Sequence, residues 1–220
     1  MVRKAYIKQI DYYLPADVVS NEDIVTDFPE WSVEKIARKV GVNKRHVASK
    51  NETASDLAIK AAERLFAKGE VSRDEIDYVL FCTQSPDYFL PTSACIIQDK
   101  LGLRRNIGAL DFNLGCSGYV YGLSLAKGLI SCGVANSVLL LTGETYNKHL
   151  HPKDKGNRTI FGDAASATVI STNGISEIGD FSLGTDGSGA DNLIVRSGGM
   201  RIPEKRCDLS FDENRNPVSV

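Results

Sequence analysis

The chain has 220 residues, a formal net charge of −2, 42% apolar and 25% charged residues, the composition of an ordinary globular protein with ample material for a core. That balance offers no basic footprint for nucleic acid, and no apolar run is long enough to span a membrane. The first residues lack a signal-peptide run and the five cysteines form no Cys-x-x-Cys pair, so a disulfide framework or zinc ribbon is not expected and a reducing cytoplasm is.

Ala5 to Tyr13 reads as a first strand, ended by Pro15. Ser20 and Asp23 are spaced to cap a short helix. Trp31 and Ser32 open a second, with Val33, Ile36, Ala37 and Val40 on its apolar face and Gly41 as its stop. Val42 to Ala48 is extended and basic. Thr53 caps an amphipathic helix, Ala54 to Lys68, whose buried stripe is Leu57, Ala58, Ala61, Ala62, Leu65 and Phe66. Ser72 and Glu75 make a capping box on one short turn, and Tyr78 to Thr83 is a run of buried-strand type. A loop, Gln84 to Pro91, leads to Thr92, expected to cap a helix reaching Leu101.

Ile107 to Phe112 is another run of buried-strand length. The chain then bends through Asn113, Leu114 and Gly115 and enters a helical run, Ser117 to Ser131. Apolar residues lie on every side of that helix and Lys127 is its one charge, so it is expected to be buried all round. Cys116 stands at the bend. Unpaired backbone N–H groups and the positive end of a helix dipole favour thiolate over thiol there. The residue therefore reads as a nucleophile, or else as a small core residue.

Ser137 to Thr142 is a further buried strand, Gly143 to Arg158 a loop carrying Lys148, Lys153, Lys155 and Arg158, and Ala164 to Ser171 a strand. Ile175 to Leu183 reads as a long edge strand. The chain is glycine-rich from Gly184 and polar from Met200, as though cut before a next domain. The alternation implies an α/β fold, with helices on both faces of a mixed, mostly parallel five-stranded sheet. We divide it into residues 1–183, carrying the nucleophile, and 184–220, a connector.

Four segments together carry a resemblance. They are Gly41 to His46, Asp111-Phe112-Asn113-Leu114-Gly115-Cys116-Ser117-Gly118-Tyr119, Phe161-Gly162-Asp163-Ala164-Ala165, and Gly184 to Asp191. In order and approximate spacing they resemble the N-terminal part of 3-oxoacyl-acyl-carrier-protein synthase III, the ketoacyl synthase III branch of the thiolase-like fold. The resemblance implies a layered thiolase-like sandwich, of which this chain is the N-terminal half. It also implies an acyltransferase of fatty-acid or related acyl-chain synthesis. Cys116 would take an acyl group from an acyl-coenzyme A as a thioester. Malonyl-acyl carrier protein would then lose carbon dioxide and attack it.

The Cys116 backbone N–H would supply half of the oxyanion hole. No cofactor is implied, coenzyme A arriving as part of the substrate, and the family's sheet edge pairs into a homodimer. The family's catalytic His and Asn lie in its C-terminal half, and His46, His149 and His151 do not match them. The chain alone is therefore expected to carry the nucleophile without completing condensation, and to need a partner over an uncovered apolar face.

Trp31 resembles the tryptophan that stacks on the coenzyme A adenine, although it lies farther from Gly41 than in the commonest family pattern. Lys155 holds the position of an arginine that clamps the other adenine face, with Arg158 as the nearby alternative. The plain readings are an interfacial aromatic and a solvated charged loop. Leu90 matches a position that closes the acyl pocket from the partner subunit, a role Phe89 could share, or it anchors the loop.

Other acceptors for the acyl group, such as an alcohol, an amine or a secondary-metabolite precursor, remain open, as does a non-catalytic dimerisation or carrier-binding scaffold. His149-x-His151 lacks a third ligand and Asp186 to Asp191 lacks calcium spacing, so no metal is expected.

Overall fold

A computed structural model describes residues 3–203; the expectations for Cys207 and the polar tail at 204–220 lie outside the described residues. The chain forms two units interleaved in sequence, Met1–Val18, His46–Thr145 and Gly162–Ser182 in one, and Val19–Arg45, Tyr146–Phe161 and Leu183–Val220 in the other.

In chain order the strands and helices are β1 (Tyr6–Tyr13), β2 (Asp17–Ser20), α1 (Asn21–Asp27), α2 (Val33–Val40), β3 (Lys44–Val47), α3 (Ala54–Ala67) and β4 (Tyr78–Cys82). Then come α4 (Ser93–Lys100), β5 (Gly108–Phe112), α5 (Gly118–Ser131), β6 (Ser137–Glu144), α6 (Lys155–Arg158), β7 (Ala164–Ser171) and β8 (Ser176–Glu177). The sequence pattern gives no signal for β2, which exists by pairing with β3.

The first unit is built on a six-stranded sheet in the order β5-β4-β6-β7-β1-β8. Strand β4 pairs in parallel with β5 and β6, while β7 is antiparallel to both β6 and β1. So β5, β4, β6 and β1 run one way and β7 runs back, the mixed, mostly parallel sheet that was expected. The sixth strand, β8, is an addition of two residues antiparallel to β1. It is also all that forms of the expected edge strand from Ile175 to Leu183. Pairing stops because β1 stops: Ile178 N–H still reaches Ala5 O at 2.9 Å, and past it β1 offers no ladder.

Alternate residues of β4 and β6 point to opposite faces. On one face Val79, Phe81, Leu139 and Leu141 meet Leu57, Ala61 and Leu65 of α3 and Ile97 of α4. On the other, Leu80, Val138 and Leu140 meet Ala126 and Ile130 of α5. Each large side chain enclosed this way stabilises the fold by about 1.5–3 kcal/mol.

The expectation that α5 is buried all round is corrected here. Its buried stripe is Gly118, Gly122, Ala126 and Ile130, at a spacing that marks a single helix face. Val120 and Leu125 on the other side are 44% and 43% exposed. The sheet covers the buried stripe, and the segment after β8 touches the helix at Lys127, whose Nζ donates to Gly179 O at 2.8 Å.

Thr53 and Asp56 close a capping box on α3. Thr92 makes no side-chain cap on α4. The Asp111 carboxylate on β5 does that work, accepting the Ser93 and Ala94 N–H groups at 2.6 Å each.

In the second unit α1 begins with the Ser20–Asp23 capping box, and α2 is capped by Ser32 at its start and by Gly41 at its end, whose φ of 74° needs glycine. Ile24, Phe28 and Ile36 form its core. The buried Arg45 guanidinium donates to Asn21 Oδ1 at 2.8 Å and to Thr159 O at 2.9 Å. The loop expected up to Arg158 contains the short α6, whose N-cap Asp154 accepts the Asn157 N–H at 3.0 Å.

Candidate active site

The bend between β5 and α5 is a tight turn. Gly118 N–H donates to Gly115 O at 2.8 Å and Tyr121 N–H to Ser117 O at 3.1 Å, so helical bonding begins directly after Cys116. Cys116 is exposed at this turn. No side chain caps the amino end of α5, because Ser117 is already helical in conformation. Its first N–H groups are thus not occupied by a side-chain cap, and such groups are ready donors to an anionic oxygen.

Glycines let the bend and helix sit close to their neighbours. A Cβ on Gly118 would stand 2.2 Å from Cys82 Sγ, and one on Gly122 would stand 2.6 Å from Leu140 Cδ1. A Cβ on Gly115 would stand 3.0 Å from Gln84 Oε1. The Cys82 thiol donates to Leu114 O at 3.2 Å. Burial pushes that thiol up to about 11, with the Glu144 charge adding to the rise, so Cys82 remains a donor at neutral pH.

Beside the bend is a cleft of ≈220 Å³ whose lining includes Thr83, Tyr88, Phe89, Asp111 and Asn113. Burial raises the Asp111 carboxyl, against the N–H groups of Ala94 and Ser93 that hold its charged form. Leu90 and Phe89 project from the rim of this region, 82% and 78% exposed. Asp163 is buried, and its carboxylate accepts the Ala48 N–H at 2.8 Å while its own N–H donates to His46 O. It organises a loop.

The second unit brings Trp31 and Lys155 together. Lys155 Nζ lies 5.9 Å from the indole centroid and Lys35 Nζ lies 5.4 Å from it. Lys155 also pairs with Glu30 at 2.7 Å. Arg158 is placed elsewhere, its guanidinium 5.4 Å from the Phe28 ring centroid and 2.8 Å from Asp27 Oδ2. Cys116 and Leu90 belong to the first unit; Trp31, Lys155 and Arg158 belong to the second.

Glu144, Gln84 and Cys82 escaped the sequence reading. Their one signal was a carboxylate that directly follows the apolar run Ser137 to Gly143, where the strand was expected to stop at Thr142.

A family model described as 3-Oxoacyl-[acyl-carrier-protein (ACP)] synthase III matches residues 110–187. A curated beta-ketoacyl-[acyl-carrier-protein] synthase III of Chlamydia caviae is 38% identical over 204 residues, 92% of this chain and 60% of that protein. One of Clostridium perfringens is 38% identical over 194 residues, 88% of this chain and 59% of that protein. A crystal structure of a 3-oxoacyl-(acyl-carrier-protein) synthase III matches with a TM-score of 0.92 and 50% identity, over 98% of this chain and 65% of that one. A 3-oxoacyl-(acyl-carrier protein) synthase from Burkholderia xenovorans matches at 0.83 and 38% identity, over 90% and 57%. The chain thus spans less than two thirds of the length of these relatives.

Proposed function

The chain belongs to the 3-oxoacyl-[acyl-carrier-protein] synthase III family, with its thiolase-like fold, and on that premise we propose that it carries the acyl-accepting part of a decarboxylative Claisen condensation. The supporting observation is the exposed thiol of Cys116, placed at the strand-to-helix bend within the matched span. The Cys116 sulfur attacks the thioester carbonyl of an acyl-coenzyme A. The carbonyl carbon bonds to Sγ, the bond to the coenzyme A sulfur breaks, and coenzyme A departs with the proton the thiol gave up. The Cys116 backbone N–H is one donor to the oxyanion formed on the way.

Malonyl-acyl carrier protein then decarboxylates, and its carbanion takes the acyl group from Cys116. The His and Asn that assist this step in the family are outside the span matched here. The part we assign to these residues is therefore the acyl transfer. Residues 1–183 form the half that carries the nucleophile and 184–220 the connector.

Trp31 and Lys155 are the pair we assign to the coenzyme adenine. A point-charge ammonium replaces a planar guanidinium there, so stacking is weaker than with arginine. Arg158 supports the loop through Asp27 and Phe28. Leu90, exposed beside Phe89, suits a role in closing an acyl pocket of a second copy. The open edge of β5 suits backbone pairing in a homodimer. Acyl carrier protein is the second partner and the cytoplasm the expected compartment.

Incubation with acetyl-coenzyme A should add about 42 Da, one acetyl group, to Cys116, and the adduct should be absent in Cys116→Ala. A folded chain that never acquires an acyl adduct would overturn the reading.

A further inference from the structure

At the end of β6 the Glu144 carboxylate turns toward the end of β4. Its Oε1 accepts the Gln84 N–H at 2.7 Å and its Oε2 accepts the Ser85 hydroxyl at 2.8 Å. Ser85 Oγ in turn accepts the Thr145 N–H at 3.0 Å, so the ends of two neighbouring strands are clasped through one side chain. A second bond steadies the same stretch: Ser85 N–H donates to Thr83 Oγ1 at 3.0 Å.

The clasped segment is the seat of the nucleophile bend. Gly115, just before Cys116, lies against the Gln84 side chain. Gly118, two residues after it, lies against Cys82 Sγ, and the Cys82 thiol holds Leu114 O. Glu144 holds the first support, Gln84, directly, and the second, Cys82, lies two residues before it at the end of β4. Burial raises the Glu144 carboxyl, the Gln84 N–H and the Ser85 hydroxyl hold its charge, and the Asp163 carboxylate opposes it. The Glu144 charge also helps to keep Cys82 protonated, hence a donor to Leu114. A carboxylate in such surroundings is costly unless its bonds are kept, so it enforces them.

Resting on the reading of Cys116 as the acyl acceptor, we propose that Glu144 is a positioning residue for that thiol. By fixing Gln84 and Ser85 it fixes the seat on which the Cys116 bend is held. The reactivity of a thiol follows its surroundings, so shifting the sulfur relative to the amino end of α5 changes its rate toward an electrophile.

The test follows alkylation of each cysteine by iodoacetamide in the whole chain, with exposed Cys95 and Cys132 as internal references and a thermal melt alongside. Glu144→Ala should slow Cys116 by about tenfold or more while the references hold within about twofold, because the altered seat changes the surroundings of that thiol alone. Glu144→Gln keeps an acceptor for the Gln84 N–H and a donor toward Ser85 Oγ. It should return Cys116 to within about threefold of the parent. Ser85→Ala, which removes one bond with little volume, should fall between. A merely structural clamp would lower the melting temperature and leave Cys116 at its parent rate in the folded protein. That result overturns the proposal.

If Glu144→Ala unfolds, buried Cys82 becomes as reactive as the rest, and an unchanged Cys116 rate in Ser85→Ala then overturns it. Alkylation needs no acyl donor. The predicted alkylation pattern without any acetyl adduct would thus sink the acyl-transfer reading alone. Equal acetyl adducts in the parent and Glu144→Ala would sink the Glu144 assignment alone.

Discussion

Helices α3 and α5 have 14 residues each and lie on opposite faces of one sheet, yet they are built to different ends. The buried face of α3 includes Leu57, Leu65 and Phe66, and its amino end is closed by Thr53 and Asp56. The buried stripe of α5 is two glycines, an alanine and an isoleucine, and no side chain closes its amino end. One helix fills space and satisfies its own termini. The other trades side-chain volume for closeness to the sheet and leaves its first N–H groups uncapped next to Cys116. Stability is concentrated on the α3 face and reactivity on the α5 face, so a loss at one need not be a loss at the other.

The sharpest way to break that comparison is to remove the same side chain from each helix. Leu57 has no exposed surface and Leu125 is 43% exposed. Leu57→Ala should cost about 2–5 kcal/mol of unfolding free energy in urea. Leu125→Ala should stay within about 0.5 kcal/mol of the parent. Equal losses would mean that α5 is enclosed after all.

A smaller contrast lies in the amino ends. Thr53→Ala should lose about 1 kcal/mol because its hydroxyl caps α3, whereas Ser117→Ala, which removes no cap bond, should change the same urea midpoint by no more than a few tenths. A measurable loss at Ser117 would show that the α5 terminus does have a side-chain cap.

The smallest effect is in acid. Burial raises the Asp56 carboxyl, but Lys100 and the N–H and hydroxyl of Thr53 outweigh it, so the folded value lies below 3.8. Its contribution is therefore present above the unfolded value, about 3.9, and lost as pH falls through the lower folded one. The melting temperature of the parent should drop more steeply below about pH 4 than that of Asp56→Asn. Parallel curves would rule out Asp56 as a pH-sensitive support of α3.

What the sequence made legible was local. Ser20 with Asp23 and Ser72 with Glu75 each bond across three residues as the spacing implies, and the expected Thr53 cap forms, with Asp56 closing it into a box. Gly41, Gly102 and Gly133 stop their helices with positive φ for the same short-range reason. What escaped depends on the path of the chain. Thr92 has the side chain of a cap, but the donors of α4 go to Asp111, 18 residues beyond Ser93. The Glu144 bond to Gln84 spans 60 positions, and nothing near either residue announces it.

The burial of α5 was overstated because an apolar circumference says what a helix tolerates, not what covers it. For the candidate site, the bend at Cys116 could be read from the strand, the turn and the helix alone. The pairing of Trp31 with Lys155 could be read only through the resemblance, since the two are far apart in sequence.

The contact between Gly118 and Cys82 also constrains how this chain can diverge. A methyl group at position 118 would stand 2.2 Å from the sulfur at 82, so that sulfur must move or be lost to admit it. A side chain at 118 is therefore accommodated most readily where 82 has already lost its sulfur. Relatives with a smaller residue at 82 and glycine at 118 should outnumber those with cysteine at 82 and a side chain at 118.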